Sequence, residues 1–258
     1  MKALITGASS GIGYEMAKIL SEKGYDIIAV ARREEKLKKL KEEIKTDVEI
    51  LCLDVTRDED IEKIASRIDE VDVFINNAGF GVFGDFCSSP LDDELKMMET
   101  NVRAVHILTK LAAQKFRVKN SGYIMNVSSI AAFFTGPLFS AYYASKAYVY
   151  RLTLALYEEL RREKSNVKIS VLCPGPIKTE FENVAGVSFG TGEEKGRGLI
   201  IADKEKVSRY AIEKMLRGKT IIIPGKLMQI AVFFRRILPE KTLCRLLYFL
   251  QSKKFVVK

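Results

Sequence analysis

Histidine is almost absent from this chain of 258 residues, and tryptophan is absent altogether. The single histidine, His106, lies inside the apolar helical pattern NVRAVHILTKLAAQKF. A mechanism that needs two histidines is therefore excluded, and we expect no zinc site. No triad-like neighbours accompany His106, so we predict a structural role for it.

Cysteines are few and scattered. Cys52, Cys87, Cys173 and Cys244 show no metal-ligand spacing. We therefore predict reduced thiols, a cytoplasmic protein and no bound metal.

Long apolar runs are also missing, since none approaches the roughly 20 residues that a membrane span needs. The chain starts with MKALITG, which resembles a buried strand, so we expect no cleavable leader.

Positive charge is concentrated at one end of the chain. The net charge is +9, and the segment 226–258 accounts for +7 of it through eight Lys or Arg residues and one acid. The first 225 residues are thus close to neutral, which argues against binding to nucleic acid.

Seven short runs rich in Val, Ile and Leu alternate with amphipathic stretches. Continuous apolar strands are typical of a parallel sheet that is buried on both faces. We predict a doubly wound (Rossmann) α/β sheet of about seven strands with helices on both faces, plus a C-terminal helical extension. The predicted strands cover 2–6, 26–31, 48–53, 71–75, 123–128, 167–172 and 219–223.

The stretch TGASSGIG, residues 6–13, follows the first predicted strand and opens a helix. Gly7 permits a tight turn, Gly11 lets the backbone approach a pyrophosphate, and Gly13 lets the helix pack on the strand. The free N–H groups of the helix start, around Ile12, favour phosphate. We therefore predict that this turn binds a dinucleotide.

The end of the second strand predicts which dinucleotide binds. Units that bind NAD carry an acid here for the ribose 2′-hydroxyl, but this chain has Ala31 followed by Arg32 and Arg33. Arginine can donate two parallel hydrogen bonds to a 2′-phosphate, and Ser9 and Ser10 can add hydroxyl donors. The cofactor prediction is NADP(H).

The sequence YYASK places Tyr142 and Lys146 one helical turn apart. A nearby ammonium favours the phenolate, so we expect Lys146 to lower the pKa of Tyr142 and make it a proton donor and acceptor. Ser129 ends the fifth strand, at the edge of the sheet where such folds place their chemistry.

Together these motifs resemble the short-chain dehydrogenase/reductase family, in its compact, NADP-preferring form. The resemblance covers about residues 1–225, in the family's order and spacing. It rests on TGASSGIG (6–13), LDV (53–55), NNAG (76–79), Asn101, SS (128–129), YYASK (142–146) and PGPIKT (174–179).

The resemblance implies a role for each catalytic residue. Tyr142 would be the general acid and base, and Lys146 would hold the nicotinamide ribose. Ser129, rather than Ser128, would hold the substrate oxygen, and Asn101 would anchor a water molecule in the proton relay.

Further contacts to the cofactor are implied in the same way. Asp54 and Val55 would flank the adenine, and residues 76–79 would support the sheet edge and the adenosine. The nicotinamide pocket would be lined by 174–179. The residues concerned are Asn77, Ala78, Gly79, Pro174, Gly175, Ile177 and Thr179.

The resemblance also implies a small carbonyl or alcohol substrate, a homodimer or homotetramer, and a substrate lid at about 181–203. Apolar residues in that lid suggest a partly apolar substrate. We therefore expect an oxidoreductase domain over 1–225 and a basic helical extension over 226–258.

Several alternatives stay open at this point. The extension either packs over the cleft or a partner subunit, or contacts a membrane surface through its basic apolar helices. A nucleotide-binding protein without chemistry is the second functional hypothesis, and the set Ser129, Tyr142, Lys146 argues against it. A sugar-nucleotide epimerase or dehydratase would need a larger C-terminal domain.

Overall fold

Seven parallel strands form one sheet in the order β3-β2-β1-β4-β5-β6-β7. In the computed structural model, residues 1–177, 180–181, 185, 202–235 and 237–252 are described. The strands are β1 (Lys2–Thr6), β2 (Asp26–Ala31), β3 (Val48–Cys52), β4 (Val73–Asn76), β5 (Tyr123–Val127), β6 (Lys168–Leu172) and β7 (Ile221–Ile222). The predicted doubly wound sheet is confirmed; β4 starts two residues later than predicted, and β7 is shorter.

Helices cover both faces of the sheet. They are α1 (Gly11–Glu22), α2 (Glu34–Glu43), α3 (Asp58–Ser66), α4 (Leu91–Met98), α5 (Val105–Lys119), α6 (Ser140–Arg162), α7 (Lys204–Leu216), α8 (Lys226–Phe234) and α9 (Glu240–Ser252). Between α4 and α5 the chain forms a π-helical segment, Glu99–Ala104. Such segments are rare and often lie at functional sites.

Two apolar layers fill the space between the sheet and its helices. Met16 and Leu37 belong to the layer under α1, α2 and α7, whereas Ile64 and Leu108 belong to the layer under α3, α5 and α6. Strand residues alternate between the two layers, because successive side chains point to opposite faces. Apolar burial on both faces explains why apolar residues predominate in the strands.

The turn from β1 to α1 depends on glycine at three positions. Gly7 and Gly11 have φ angles of +68° and +59°, which side chains rarely adopt. Gly13 is tightly packed, since an added Cβ would lie 2.5 Å from the carbonyl oxygen of Gly7 and would collide with Asn77. The turn is therefore held against the end of β4.

The strand order reverses between β1 and β4. At such a switch point the loops diverge and open a crevice at the carboxyl ends of the strands. The loops that follow β1 to β6 all border this edge, so residues far apart in sequence meet there.

The C-terminal extension begins with α8, which packs beside the 3₁₀ turn Ile130–Phe133. Met228 contacts Gly175, and Val232 joins the small apolar cluster around Cys173. Across the described ranges, no helix has both the length and the apolarity to cross a membrane.

Candidate active site

A large cleft of about 1280 Å³ runs along the carboxyl edge of the sheet. It brings together most of the residues that the sequence singles out. These are Gly7, Ser9, Ser10, Gly11, Ile12, Arg32, Arg33, Asp54, Val55, Asn77, Ala78, Gly79, Ser129, Tyr142, Lys146, Pro174, Gly175 and Ile177.

Two of the predicted residues that the structure describes do not line this cleft. Gly13 lies behind the turn, where it allows close packing. Asn101 is fully buried behind the wall of the cleft. Thr179 lies outside the described residues, as does most of the predicted lid.

One end of the cleft is built by the glycine turn and the start of α2. The guanidinium of Arg33 donates hydrogen bonds to the Ser9 and Ser10 hydroxyls, with Nη2 at 3.0 and 2.9 Å from the two oxygens. Arg32 is more exposed, and its Nη1 lies 3.7 Å from an Asp54 carboxylate oxygen. The two arginines therefore have different surroundings, and Arg33 is the one fixed against the turn.

A carboxylate already lies between basic groups at this end. Glu180 accepts a hydrogen bond from Arg33 at 2.7 Å and another from Lys36. These hydrogen bonds, with that of Lys36 the stronger, lower the pKa of Glu180 to about 2. Sequence reasoning missed Lys36, whose helical spacing from Arg33 was the available signal. The space between Arg33 and Lys36 therefore suits an anionic group, which both cations can bind.

Tyr142 and Ser129 face each other across the middle of the cleft. A hydrogen bond between their side chains partly stabilises the phenolate of Tyr142. The neighbouring Ser128 hydroxyl is used differently, because it donates to the carbonyl oxygen of Lys146 at 2.7 Å. Ser128 is therefore bound to the backbone, and the choice of Ser129 as the serine that holds the substrate stays a prediction.

The amine of Lys146 is buried beside Gly79 and Asn101. Its Nζ donates to the carbonyl oxygen of Val127 at 3.1 Å. A Cβ on Gly79 would lie 3.1 Å from this Nζ and 2.9 Å from the Asn101 side-chain oxygen. Glycine at position 79 therefore leaves the room in which lysine and asparagine approach each other.

Asn101 is fixed by its own hydrogen bonds. Its Nδ2 donates to the carbonyl oxygen of Phe80 at 2.8 Å and to the Ser145 hydroxyl at 3.1 Å, and its Oδ1 accepts from the Phe80 N–H. The π-helical segment aims this side chain toward the loop after β4. A role in holding a relay water stays a prediction.

The predicted effect of Lys146 on Tyr142 is not found. Burial inside the cleft raises the pKa of Tyr142 above its ordinary value of 10, and the hydrogen bond with Ser129 offsets only part of that rise. Lys146 Nζ lies 5.9 Å from the centre of the tyrosine ring and is directed to Val127. Burial also lowers the pKa of Lys146 to about 8, which weakens its ability to stabilise a phenolate.

The other end of the cleft is aromatic. Phe139 packs against Tyr142 with ring centres 5.2 Å apart, and Phe181 lies 5.4 Å from Tyr142 on another side. Tyr143 also lines this end. A flat or branched apolar group would fit among these rings.

Helix α9 packs over this aromatic end. Of the alternatives left open for the extension, packing over the cleft therefore applies to this helix. Leu247, Leu250 and Gln251 line the cleft. Gln251 is buried, and its Nε2 donates to the Tyr143 hydroxyl at 2.9 Å. Among the described residues its Oε1 has no hydrogen-bond partner. Sequence reasoning missed this contact, which joins residues 108 positions apart.

The short chain dehydrogenase family model matches residues 1–186. The chain belongs to the short-chain dehydrogenase family. Among curated relatives, it is 32% identical over 274 aligned residues to "Dehydrogenase/reductase SDR family protein 7-like" of Drosophila melanogaster. That alignment covers 99% of this chain and 80% of the relative.

Solved structures of short-chain dehydrogenases share the fold. A Sphingobium yanoikuyae enzyme in complex with NADPH has a TM-score of 0.79 at 27% identity, and the match covers 92% of this chain and 93% of that one. A Burkholderia phymatum protein in complex with NAD has a TM-score of 0.80 at 23% identity, covering 92% of each chain. The chain is thus an oxidoreductase of a family that uses nicotinamide cofactors.

The residues of the cleft fit such a cofactor. The glycine turn offers a surface without side chains, Arg33 and Lys36 hold an anion at one end, and Tyr142 and Lys146 lie in the middle. These features suit, in order, a pyrophosphate, a further phosphate and a nicotinamide riboside.

The buried Lys146 gives a test of this geometry. Burial lowers the pKa of Lys146 to about 8 from 10.5, so at lower pH the buried ammonium reduces the free energy of unfolding. Between about pH 8 and 10.5 the unfolded state binds more protons, so stability rises with pH. The free energy of unfolding of the wild type should rise by on the order of 3 kcal/mol relative to Lys146→Met across this window.

Urea unfolding at a series of pH values measures this difference. The exposed Lys110 supplies the matched control, since Lys110→Met should show no such trend. A stability difference between wild type and Lys146→Met that stays flat with pH would contradict the burial of the amine.

Proposed function

We propose that the protein is an NADP(H)-dependent oxidoreductase that transfers a hydride between the nicotinamide and a carbonyl or alcohol substrate. Tyr142 is the general acid and base in this proposal. The substrate is partly apolar, which the aromatic end of the cleft supports.

One observation carries the proposal. The hydroxyls of Ser129 and Tyr142 converge in the cleft that also contains the glycine turn and Lys146. Two converging hydroxyl donors can stabilise the negative charge that develops on a carbonyl oxygen as it is reduced. A nucleotide-binding protein without chemistry has no need of this arrangement.

The site can act in the direction of carbonyl reduction. A bound nicotinamide would supply the hydride. Tyr142 is protonated at neutral pH, since burial raises its pKa further above the ordinary value of 10, and its phenol can protonate the alkoxide that forms on the substrate oxygen. Ser129 orients that oxygen by a hydrogen bond, and Lys146 holds the ribose hydroxyls from its buried position beside Tyr142.

The preference for NADP(H) rests on Arg33. Its guanidinium is fixed by the turn serines and already binds the carboxylate of Glu180. We propose that the 2′-phosphate replaces this carboxylate between Arg33 and Lys36. A phosphate offers more acceptor oxygens and more charge than a carboxylate, so the exchange favours the cofactor.

A homo-oligomer belongs to the same proposal. Leu91 and Met98 of α4 are exposed, and so is Tyr148 of α6. These side chains would be covered if the two helices pair with a second copy. Exposed free thiols at Cys52 and Cys87 suit the reducing cytoplasm.

Replacement of Tyr142 by phenylalanine tests the chemistry. Tyr142→Phe removes the proton donor and should lower kcat by about 10²- to 10⁴-fold, because general acid catalysis contributes that much. The affinity for NADPH, measured by quenching of its fluorescence or by calorimetry, should change little. Tyr157→Phe, on the exposed side of the same helix, is the matched control and should keep full activity. Undiminished turnover in Tyr142→Phe would refute the assignment.

Replacement of Arg33 by alanine tests the cofactor preference. Arg33→Ala should raise KM for NADPH by about 10- to 100-fold, given roughly 1.5–3 kcal/mol for hydrogen bonds to a charged group. KM for NADH should stay within about threefold, since no 2′-phosphate is lost. Arg209→Ala removes an arginine that is ion-paired with Glu22 and should change neither constant. Equal losses for NADPH and NADH in Arg33→Ala would contradict a contact with the 2′-phosphate.

A further inference from the structure

The C-terminal helices carry a large exposed apolar surface, which we call the tail surface. Its members on α8 and just after it are each at least half exposed. Tail-surface residues, with their exposed fractions, are Leu227 (51%), Ile230 (51%), Phe233 (62%), Phe234 (54%), Ile237 (66%), Leu246 (49%) and Tyr248 (53%). Isolated exposed apolar residues are ordinary, but this many on two short consecutive helices favour an interaction site.

This surface is not the face by which α8 attaches to the sheet. That attachment uses Met228, against Gly175, and Gln229, whose Nε2 donates to the carbonyl oxygen of Ile223 at 2.8 Å. Leu227, Ile230 and Phe234 follow the spacing i, i+3, i+7 and so form a stripe on a different face. This stripe therefore points outward, and what covers it stays open.

Exposed basic residues lie on the same two helices as the tail surface. Lys226 is the first residue of α8 and is exposed, and Lys241 and Arg245 lie exposed on α9. The segment 226–258 carries +7 of the net +9. Apolar and aromatic side chains within a cluster of basic ones are typical of helices that lie in a membrane interface.

We propose that the tail surface docks the protein peripherally onto a bilayer that contains anionic lipid. Each Lys or Arg near such a surface contributes about 1 kcal/mol of attraction, and the apolar side chains enter the boundary of the acyl chains. A second copy of the chain is a poorer occupant, because a two-fold contact would bring two strongly positive segments together. At 9 and 13 residues, α8 and α9 are too short to span the membrane, so the contact is superficial.

The tail surface is continuous with the catalytic cleft through α9. Leu246 and Tyr248 are exposed on this helix, whereas Leu247 and Gln251 of the same helix line the aromatic end of the cleft. Docking would therefore place the aromatic end of the cleft next to the lipid boundary. We infer that the substrate is an apolar carbonyl compound dissolved in the bilayer; this part alone rests on the proposed function.

Co-sedimentation with vesicles tests the docking. The full chain should sediment with phosphatidylcholine vesicles that contain phosphatidylglycerol, less with phosphatidylcholine alone, and less again at high salt. Lys241→Glu/Arg245→Glu should weaken the partition coefficient by at least about 30-fold, from roughly 1 kcal/mol per basic residue lost. Phe233→Ser/Phe234→Ser should abolish sedimentation at high salt.

Matched controls come from elsewhere on the surface. Lys110→Glu/Lys206→Glu makes the same change of charge at exposed lysines of α5 and α7, and Val118→Ser removes an isolated apolar side chain that is 90% exposed. Neither control should reduce binding by more than about threefold. All variants alter exposed side chains, so their urea midpoints should match that of the wild type.

Two results would overturn the docking proposal. One is wild-type protein that stays in the supernatant with anionic vesicles at low salt. The other is a fall in oligomer size of Phe233→Ser/Phe234→Ser in sedimentation velocity without vesicles, which would make the tail surface a subunit interface. Neither readout needs turnover, so failure of the proposed activity is seen separately.

The substrate inference has its own test. With NADPH, Lys241→Glu/Arg245→Glu should keep wild-type rates on a water-soluble ketone but lose at least about tenfold on a long-chain ketone held in anionic vesicles. Equal rates of variant and wild type on the vesicle-held ketone would refute delivery from the bilayer.

Discussion

The burial of the Lys146 amine is the constraint on which the site depends. This side chain is only 4% exposed, and its amine donates to one backbone carbonyl oxygen. Room for it beside the Asn101 side chain exists because residue 79 is glycine, and the Phe80 backbone fixes that asparagine in place. Burial of an ammonium lowers stability, so a lysine at this position is explained better by chemistry than by folding.

The topology of the sheet brings the other residues of the site to the same edge as Lys146. Parallel strands bring the loops after β1 to β6 to one edge, and the reversal of strand order opens a crevice there. Gly7 and Gly13 let α1 start close to the end of β4, so the glycine turn and Lys146 border the same cleft. Tyr142 then lies between a region suited to phosphates and an aromatic region suited to substrate. Each region is built by elements that are distant in sequence.

Local patterns predict much of this architecture. The apolar runs locate all seven strands, and the turn and YYASK motifs locate residues that the structure brings into one cleft. Such local patterns could not predict contacts between residues that are distant in sequence. The pKa of Tyr142 depends on burial by Phe139 and Phe181. The α8 stripe points outward because Met228, on another face of the helix, packs against Gly175. The hydrogen bond of Gln251 with Tyr143 joins the last helix to the cleft. None of these has a periodic signal.

The central claim is hydride transfer from NADPH to a carbonyl compound at Tyr142. The most direct measurement is the initial rate of cofactor oxidation by the wild-type protein with a panel of ketones and aldehydes, with NADPH and NADH assayed separately. Our account predicts turnover of apolar carbonyl compounds, with kcat/KM at least about tenfold higher for NADPH, because Arg33 is fixed beside the turn serines. Faster turnover with NADH, or tight binding of NADPH with no oxidation by any member of the panel, would contradict it.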